Sequence, residues 1–187
     1  MSQPRRHQVI IGGTGGRGIL MMGRLLAEAG MSKYRHVTYF PNYGAAMRGG
    51  DSEVTVILSD DEIGSQAVYN PEVALIMDTS FFKSLVPRVK SGGMSLVDSS
   101  VVSEETGRED ITIHYLPVTQ KALEMGNVQV ANLVLLGAYL EATDAVPVEV
   151  IEQVLEKRML GTRREALLTL DKQALKEGVK MMTASRG

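Results

Sequence analysis

The chain has 187 residues and contains no cysteine. Iron–sulfur clusters are held mainly by cysteine thiolates, so the chain is not expected to bind a cluster by itself. Disulfides, thiol nucleophiles and cysteine-type zinc sites are excluded for the same reason. The three histidines, His7, His36 and His114, do not have the spacing of metal ligands on one helix. We therefore expect neither a metal site nor a redox centre in this chain.

Excess charge and long apolar runs are also missing. The net charge is −2, so the chain lacks the excess of basic residues that is typical of a nucleic-acid-binding protein. No apolar run approaches the roughly 20 residues that a membrane-spanning helix needs, and the first residues lack the apolar core of a signal peptide. Composition and length together predict a cytoplasmic globular protein, folded as a single domain over residues 1–187, that binds neither nucleic acid nor membrane.

Short β-branched runs alternate with segments of helical periodicity along the chain. Strands are predicted at 8–11, 36–40, 53–58, 73–77, 94–97 and 111–115, and helices at 18–29, 80–90, 119–125, 131–142, 148–157 and 163–182. Pro41 is expected to end the second strand, and Pro87 to break or kink the second helix. No helix precedes the third strand, which is therefore expected to run antiparallel. The pattern predicts an α/β fold, a three-layer α/β/α Rossmann-like domain with a mixed, mostly parallel sheet.

A glycine-rich turn follows the first predicted strand. Gly13–Gly18 fits the pattern G-x-G-x-x-G and leads directly into a helix, which is the context in which such turns bind phosphate groups. A dinucleotide site also needs an acidic residue at the end of the second strand, where this chain has Phe40 and Pro41. The Gly-Lys-Ser/Thr of a P-loop is absent as well. Close packing of helix against strand is the alternative role for these glycines.

A second unusual segment, Tyr43–Gly50, joins the second and third strands. Because α/β proteins bind ligands beyond the carboxyl ends of their strands, we expect this segment to lie near the glycine turn. Arg48 could bind a phosphate or carboxylate with two hydrogen bonds, and its glycine neighbours would let the backbone bend to present it. An exposed structural turn with a surface arginine is the equal alternative.

The residues expected to contact a cofactor are Gly13, Gly15, Gly16, Gly18, Tyr43, Gly44, Arg48, Gly49 and Gly50. No nucleophile–base pair is recognisable, so no catalytic residue is predicted. Asp78 and Asp98 end two predicted strands, and each is expected to cap the helix or turn that follows it.

Three blocks in this order carry a resemblance that covers nearly the whole chain. They are residues 12–18 (GGTGGRG), Tyr43-Gly44 with Arg48-Gly49-Gly50 and the strand 54–59, and residues 126–138 (GNVQVANLVLLGA). Together they resemble the γ subunit of 2-oxoacid:ferredoxin oxidoreductases. The chain departs from the family pattern at Ala46, where glutamate is frequent, and at Gln66, where proline is frequent. Neither departure affects the glycines or Arg48.

The resemblance implies a role inside a larger enzyme. Such an enzyme decarboxylates a 2-oxoacid on thiamine diphosphate, passes electrons through iron–sulfur clusters to ferredoxin and transfers the acyl group to coenzyme A. The cofactors and the ferredoxin contact would then belong to α, β and δ-type subunits, and the isolated chain would be inactive. We slightly favour 2-oxoglutarate as the substrate. A stand-alone nucleotide-binding enzyme of Rossmann-like fold and a regulatory module are the alternatives.

Overall fold

The structure is a computed structural model that describes residues 5–43 and 50–186. The strands in these ranges are β1 (Arg6–Thr14), β2 (His36–Tyr43), β3 (Asp51–Ser59), β4 (Val73–Ile76), β5 (Met94–Asp98) and β6 (Thr112–Leu116). The α-helices are α1 (Ile19–Gly30), α2 (Thr79–Leu85), α3 (Val118–Glu124), α4 (Ala131–Thr143), α5 (Val148–Met159) and α6 (Leu168–Ser185). In the part of the chain so described, no helix is both long enough and apolar enough to cross a membrane.

The strands form one mixed sheet in the order β2-β3-β1-β4-β5-β6. β1, β4, β5 and β6 run parallel to one another, whereas β3 runs antiparallel to both of its neighbours. A parallel pair needs a crossover of a dozen or more residues, and the link from β2 to β3 is too short to provide one. The predicted α/β class, the mixed, mostly parallel sheet and the antiparallel third strand are therefore confirmed.

The prediction that Pro41 ends the second strand is wrong. β2 continues through Pro41 to Tyr43, and Pro41 lies opposite Val54 of β3. Proline cannot donate a ladder hydrogen bond, but an outermost strand has one side on which no such bond is needed. Because β2 is the outermost strand of the sheet, it accepts the proline without ending.

Helices cover the two faces of the sheet unequally. On one face α1, α4, α5 and α6 enclose the larger apolar core. The other face is covered by α2 and the 3₁₀ turn Val86–Arg88, which contains Pro87 and ends the second predicted helix early. The last predicted helix also begins later than expected, at Leu168, after a 3₁₀ turn over Glu165–Leu167.

Helix α4 lies at the centre of the larger helical layer. Its residues are buried without interruption from Ala131 to Leu140, as expected for a helix that is apolar on every side. Its main neighbour is α6, and the two backbones meet at a pair of glycines. A β-carbon on Gly137 would overlap the Leu175 carbonyl oxygen, and one on Gly178 would overlap the Val134 carbonyl oxygen. The close contact of these helices therefore requires glycine on both sides.

We expect Gly137→Ala or Gly178→Ala to lower the free energy of unfolding by about 3 kcal/mol, because the added methyl group meets backbone that cannot rotate away. Urea denaturation would measure the loss. Gly64→Ala is the control, since a β-carbon there meets no described residue within 4 Å and that variant should stay within about 0.5 kcal/mol of the wild type. Equal stability of all three variants would contradict the proposed backbone contact.

Candidate functional site

The candidate site lies at the edge of the sheet where the parallel strands end. β1 ends at Thr14, directly opposite the first residue of β3, Asp51. β4 and β5 end beside β1. Asp78 follows β4, and Asp98 is the last residue of β5, before a turn. We call this region the glycine edge, and it comprises Thr14–Gly18, Gly50, Asp78, Asp98, Thr119 and Asn132. Such an edge, between strands whose connections leave in opposite directions, is where α/β proteins commonly bind ligands.

The glycine turn has the backbone conformation that its sequence predicts. Gly16 and Gly18 have φ angles of 91° and 74°, which side-chain-bearing residues rarely adopt. Among the residues that the structure describes, none lies within 4 Å of a β-carbon placed on Gly16, so no described side chain covers the turn at that point. Gly18 instead abuts Asn132, and Gly13 lies in β1 against Ile19 and Met77. Gly13 and Gly18 thus serve packing, whereas a side chain at Gly16 would contact no residue that the structure describes.

The expected proximity of the two glycine-rich segments is observed where the second one is described. The Gly15 amide donates a hydrogen bond of 2.9 Å to the Gly50 carbonyl oxygen. Tyr43 closes β2 opposite Ser52, so the segment leaves and re-enters the sheet at this edge. Gly44, Arg48 and Gly49 lie outside the described residues. A contact of any predicted residue with a cofactor stays a prediction.

Two aspartates stabilise the edge from within. Asp78 precedes α2 and accepts hydrogen bonds from the Ser80 amide (2.9 Å) and from Thr14 Oγ1 (2.6 Å). Partial burial raises the pKa of Asp78, but the hydrogen bonds from Thr14 and Ser80 outweigh it and hold the pKa below its ordinary value. The predicted capping role of Asp78 is therefore confirmed. Its bond to Thr14 also ties the end of β1 to the start of α2.

Asp98 is fully buried at the end of β5. It accepts hydrogen bonds from the Ser100 amide (3.1 Å), the Thr119 amide (3.2 Å) and Thr119 Oγ1 (2.5 Å), so its predicted capping role is confirmed too. Arg17 Nη1 lies 3.9 Å from Asp98 Oδ2 and 3.4 Å from Thr119 Oγ1. Asp98 thus joins the turn after β5, the start of α3 and the glycine turn.

Arg17, Thr119 and Asn132 are residues of the site that the sequence analysis did not select. The Asn132 Nδ2 donates a hydrogen bond of 3.2 Å to the Gly18 carbonyl oxygen, which fixes the start of α4 against the turn. Arg17 was present in the glycine motif and Asn132 in the third block of the resemblance. Their contacts span more than 100 residues of sequence. Local patterns therefore could not pair them.

The glycine edge can bind an anionic group but has no evident catalytic chemistry. It offers the open backbone at Gly16 and a guanidinium, Arg17, whose side chain is about one-third exposed. Its two carboxylates are occupied by internal hydrogen bonds. Among residues 5–43 and 50–186, no group of three or more possible metal ligands comes together.

Removing the hydroxyl of Thr14 should raise the pKa of Asp78. The depressed pKa of Asp78 stabilises the fold above the unfolded-state pKa of about 3.9, and this stabilisation is lost as the pH falls through the folded-state value. In Thr14→Val the Asp78 carboxyl loses a hydrogen-bond donor, so the variant should be less stable than wild type by about 1–2 kcal/mol near neutral pH. This difference in stability should shrink on acidification.

Carboxyl NMR titration would measure the pKa of Asp78. Urea denaturation between about pH 3 and pH 7 would measure the stability difference. Thr14→Ser is the matched control because it keeps the hydroxyl. A stability gap between wild type and Thr14→Val that widens on acidification would contradict the assigned hydrogen bond.

Comparison with known proteins supports a family assignment. The family model described as pyruvate ferredoxin/flavodoxin oxidoreductase matches residues 8–181. The 2-oxoglutarate synthase subunit KorC of Methanocaldococcus jannaschii is 31% identical over 89% of this chain and 91% of its own length. The ketoisovalerate oxidoreductase subunit VorA of Methanothermobacter thermautotrophicus is 35% identical over 70% of this chain. That match spans only 27% of VorA, so this chain corresponds to about a quarter of that relative.

A solved structure agrees with the fold. The γ subunit of a keto/oxoacid ferredoxin oxidoreductase from Geobacter sulfurreducens superposes with a TM-score of 0.84 at 26% identity, covering 97% of this chain and 98% of the other. The resemblance inferred from the three sequence blocks is therefore confirmed. The family match over residues 8–181, together with the mixed sheet, shows that the chain belongs to the pyruvate ferredoxin/flavodoxin oxidoreductase family.

Proposed function

We propose that this chain is the γ subunit of a cytoplasmic, multi-subunit 2-oxoacid:ferredoxin oxidoreductase. The observation that carries the proposal is the match to KorC, which extends over nine-tenths of both proteins and not over a shared fragment alone. The assembled enzyme would convert a 2-oxoacid and coenzyme A to an acyl-CoA and reduce ferredoxin.

The absence of cysteine supports a division of labour within that assembly. Iron–sulfur clusters need thiolate ligands, which this chain lacks entirely. The clusters and thiamine diphosphate would be held by the α, β and δ-type partners, and this subunit would carry no redox centre of its own. Its contribution would be to position groups and to shape the charge around them.

The glycine edge is the part of the subunit that we assign to cofactor contact. Coenzyme A carries several phosphate groups, and the edge presents a guanidinium at Arg17 beside an open backbone at Gly16. A backbone free of side chains allows close approach, and an arginine binds phosphate oxygens with well-directed hydrogen bonds. The same features would also fit the carboxylate of a 2-oxoacid, so either anionic ligand is compatible with this edge.

2-Oxoglutarate is the substrate that we favour. The KorC relative described above, a subunit of 2-oxoglutarate synthase, is 31% identical over most of both chains, whereas a pyruvate synthase subunit that matches over a similar extent is 28% identical. Activity of the purified assembly with 2-oxoglutarate, pyruvate and 2-ketoisovalerate would decide among them. A preference for pyruvate or 2-ketoisovalerate would contradict the proposed substrate but would not affect the assignment as a γ subunit.

Co-purification tests the assignment itself. The tagged chain, produced at its natural level in its own host, should be recovered with a thiamine diphosphate-binding subunit and a ferredoxin-like subunit. The complex should reduce ferredoxin with a 2-oxoacid and coenzyme A, and the isolated chain should not. Saturable NAD binding or oxidation by the isolated chain would instead support a stand-alone nucleotide-dependent enzyme.

Arg48→Ala should lower kcat/KM of the assembled enzyme by roughly tenfold to a hundredfold, since a hydrogen bond to a charged group is worth about 1.5–3 kcal/mol. The melting temperature of the isolated chain should not change. Arg163→Ala, which removes an exposed arginine far along the sequence, is the control and should retain full activity. Wild-type activity of the Arg48 variant would remove this residue from the candidate site.

A further inference from the structure

A groove runs along the outer side of α1, between β2 and α5, on the face of the larger helical layer. It consists of two adjoining cavities of about 380 Å³ and 470 Å³, which share Arg24 and Tyr39 in their walls. We call it the arginine groove and define it by Leu20, Met21, Arg24, Tyr39, Arg158 and Arg164. None of these residues belongs to the glycine edge.

Positive charge is concentrated in the arginine groove. Arg24, Arg158 and Arg164 line the first cavity, and Arg35 joins Arg24 in the second, whereas Glu28 is the acidic residue among the described lining residues. The chain as a whole carries a net charge of −2, so this concentration is local. A surface of this kind attracts carboxylates or phosphates and repels basic segments.

The arginines differ in how they are held. Glu28 fixes Arg158 through two hydrogen bonds, of 2.8 Å from Nε and 2.5 Å from Nη2. Arg24 lies over the ring of Tyr39, with its guanidinium carbon 5.9 Å from the ring centre. Within residues 5–43 and 50–186, neither Arg24 nor Arg164 forms an ion pair with a carboxylate. Arg24 interacts with the Glu28 carboxylate, and Arg164 with the Asp171 carboxylate, only beyond ion-pair distance, so both can still pair directly with carboxylates from outside the chain.

The floor of the groove is apolar. Leu20, Met21 and Tyr39 pack against the core but are only partly buried, and Met31 at the far end is 71% exposed. β2 pairs only with β3 among the described strands, so no further strand of the sheet covers this side. An exposed methionine and a partly buried tyrosine among arginines form the kind of surface that protein interfaces favour.

The shape favours a protein segment over a small molecule. Small ligands are usually enclosed on most of their surface, whereas this groove is open along its length and spans two cavities. We propose that the arginine groove binds a segment of a neighbouring subunit in which carboxylate side chains flank apolar ones. The carboxylates pair with Arg24 and Arg164, and the apolar side chains cover Leu20, Met21 and Tyr39. The identity of the assembly rests on the proposed function, but the chemistry of the segment rests on the groove alone.

Site-specific photo-crosslinking in the purified, assembled enzyme tests the occupant. A benzophenone amino acid is placed at position 31, in the groove, and in a separate variant at position 69, whose tyrosine is 82% exposed and lies outside the groove. We expect position 31 to crosslink to one segment of another subunit that contains Asp or Glu beside apolar residues. Position 69 should not crosslink to that segment.

Charge reversal gives an independent measurement. Arg163 and Arg164 are adjacent and both exposed, but only Arg164 lines the groove. Arg164→Glu should weaken binding of this chain to the remaining subunits at least tenfold. Raising the salt concentration should reduce the affinity of the wild type more than that of the variant. Arg163→Glu should bind as wild type does. Circular dichroism melting of both isolated variants shows whether folding is preserved.

Several outcomes would overturn the inference. These are no crosslink from position 31, a crosslink to a second copy of this chain, a crosslinked segment without carboxylates, and equal binding by the two charge-reversed variants. If the chain assembles with the catalytic subunits and any of these is found, only the docking surface is wrong. If it never co-purifies with thiamine diphosphate-binding subunits, the proposed function fails, and the docking surface is then judged by whether position 31 crosslinks to an acidic and apolar segment of whatever protein does co-purify.

Discussion

The contact of α4 with α6 is the constraint on which much of the structure depends. Two backbones can approach this closely only where neither carries a side chain, and Gly137 and Gly178 provide that condition. Their contact places α4, which is apolar on every side, in the middle of its layer, where no face meets water. The start of α4 then reaches the glycine turn, and Asn132 holds the carbonyl oxygen of Gly18. Helix packing on one face of the sheet thus sets the geometry of the glycine edge.

The chemistry of the glycine edge suits a supporting subunit. Asp78 and Asp98 are the acidic groups that a reaction might have used, but both accept hydrogen bonds that join neighbouring strand ends and helix starts. The groups that remain for an outside ligand are the backbone at Gly16 and the guanidinium of Arg17, with the exposed Asp51 at the same edge. The first two orient and stabilise anions, and they neither carry electrons nor form covalent intermediates. The proposed function uses them in this way.

Helix α1 links the two surfaces to which we assign roles. It begins directly after Gly18, at the glycine edge, and its outer side forms one wall of the arginine groove. A partner segment bound in the groove would contact the same helix whose start follows the glycine turn. The two surfaces use arginine differently, since Arg17 lies beside the buried Asp98 whereas Arg24 and Arg164 form no direct ion pair among the described residues.

The sequence by itself determined the class of fold, the order of strands and helices and the glycine turn. These features follow from local periodicity and from residues such as Gly16, whose backbone conformation few other residues adopt. The prediction from local sequence failed at Pro41. A strand can continue through this proline because β2 is the outermost strand, which is a property of the whole sheet. Only the tertiary structure joined Arg17 to Asp98 and Asn132 to Gly18, and only it placed Arg24 beside Arg158 and Arg164. The physical reason is that these contacts connect residues far apart in the chain, and packing alone brings them together.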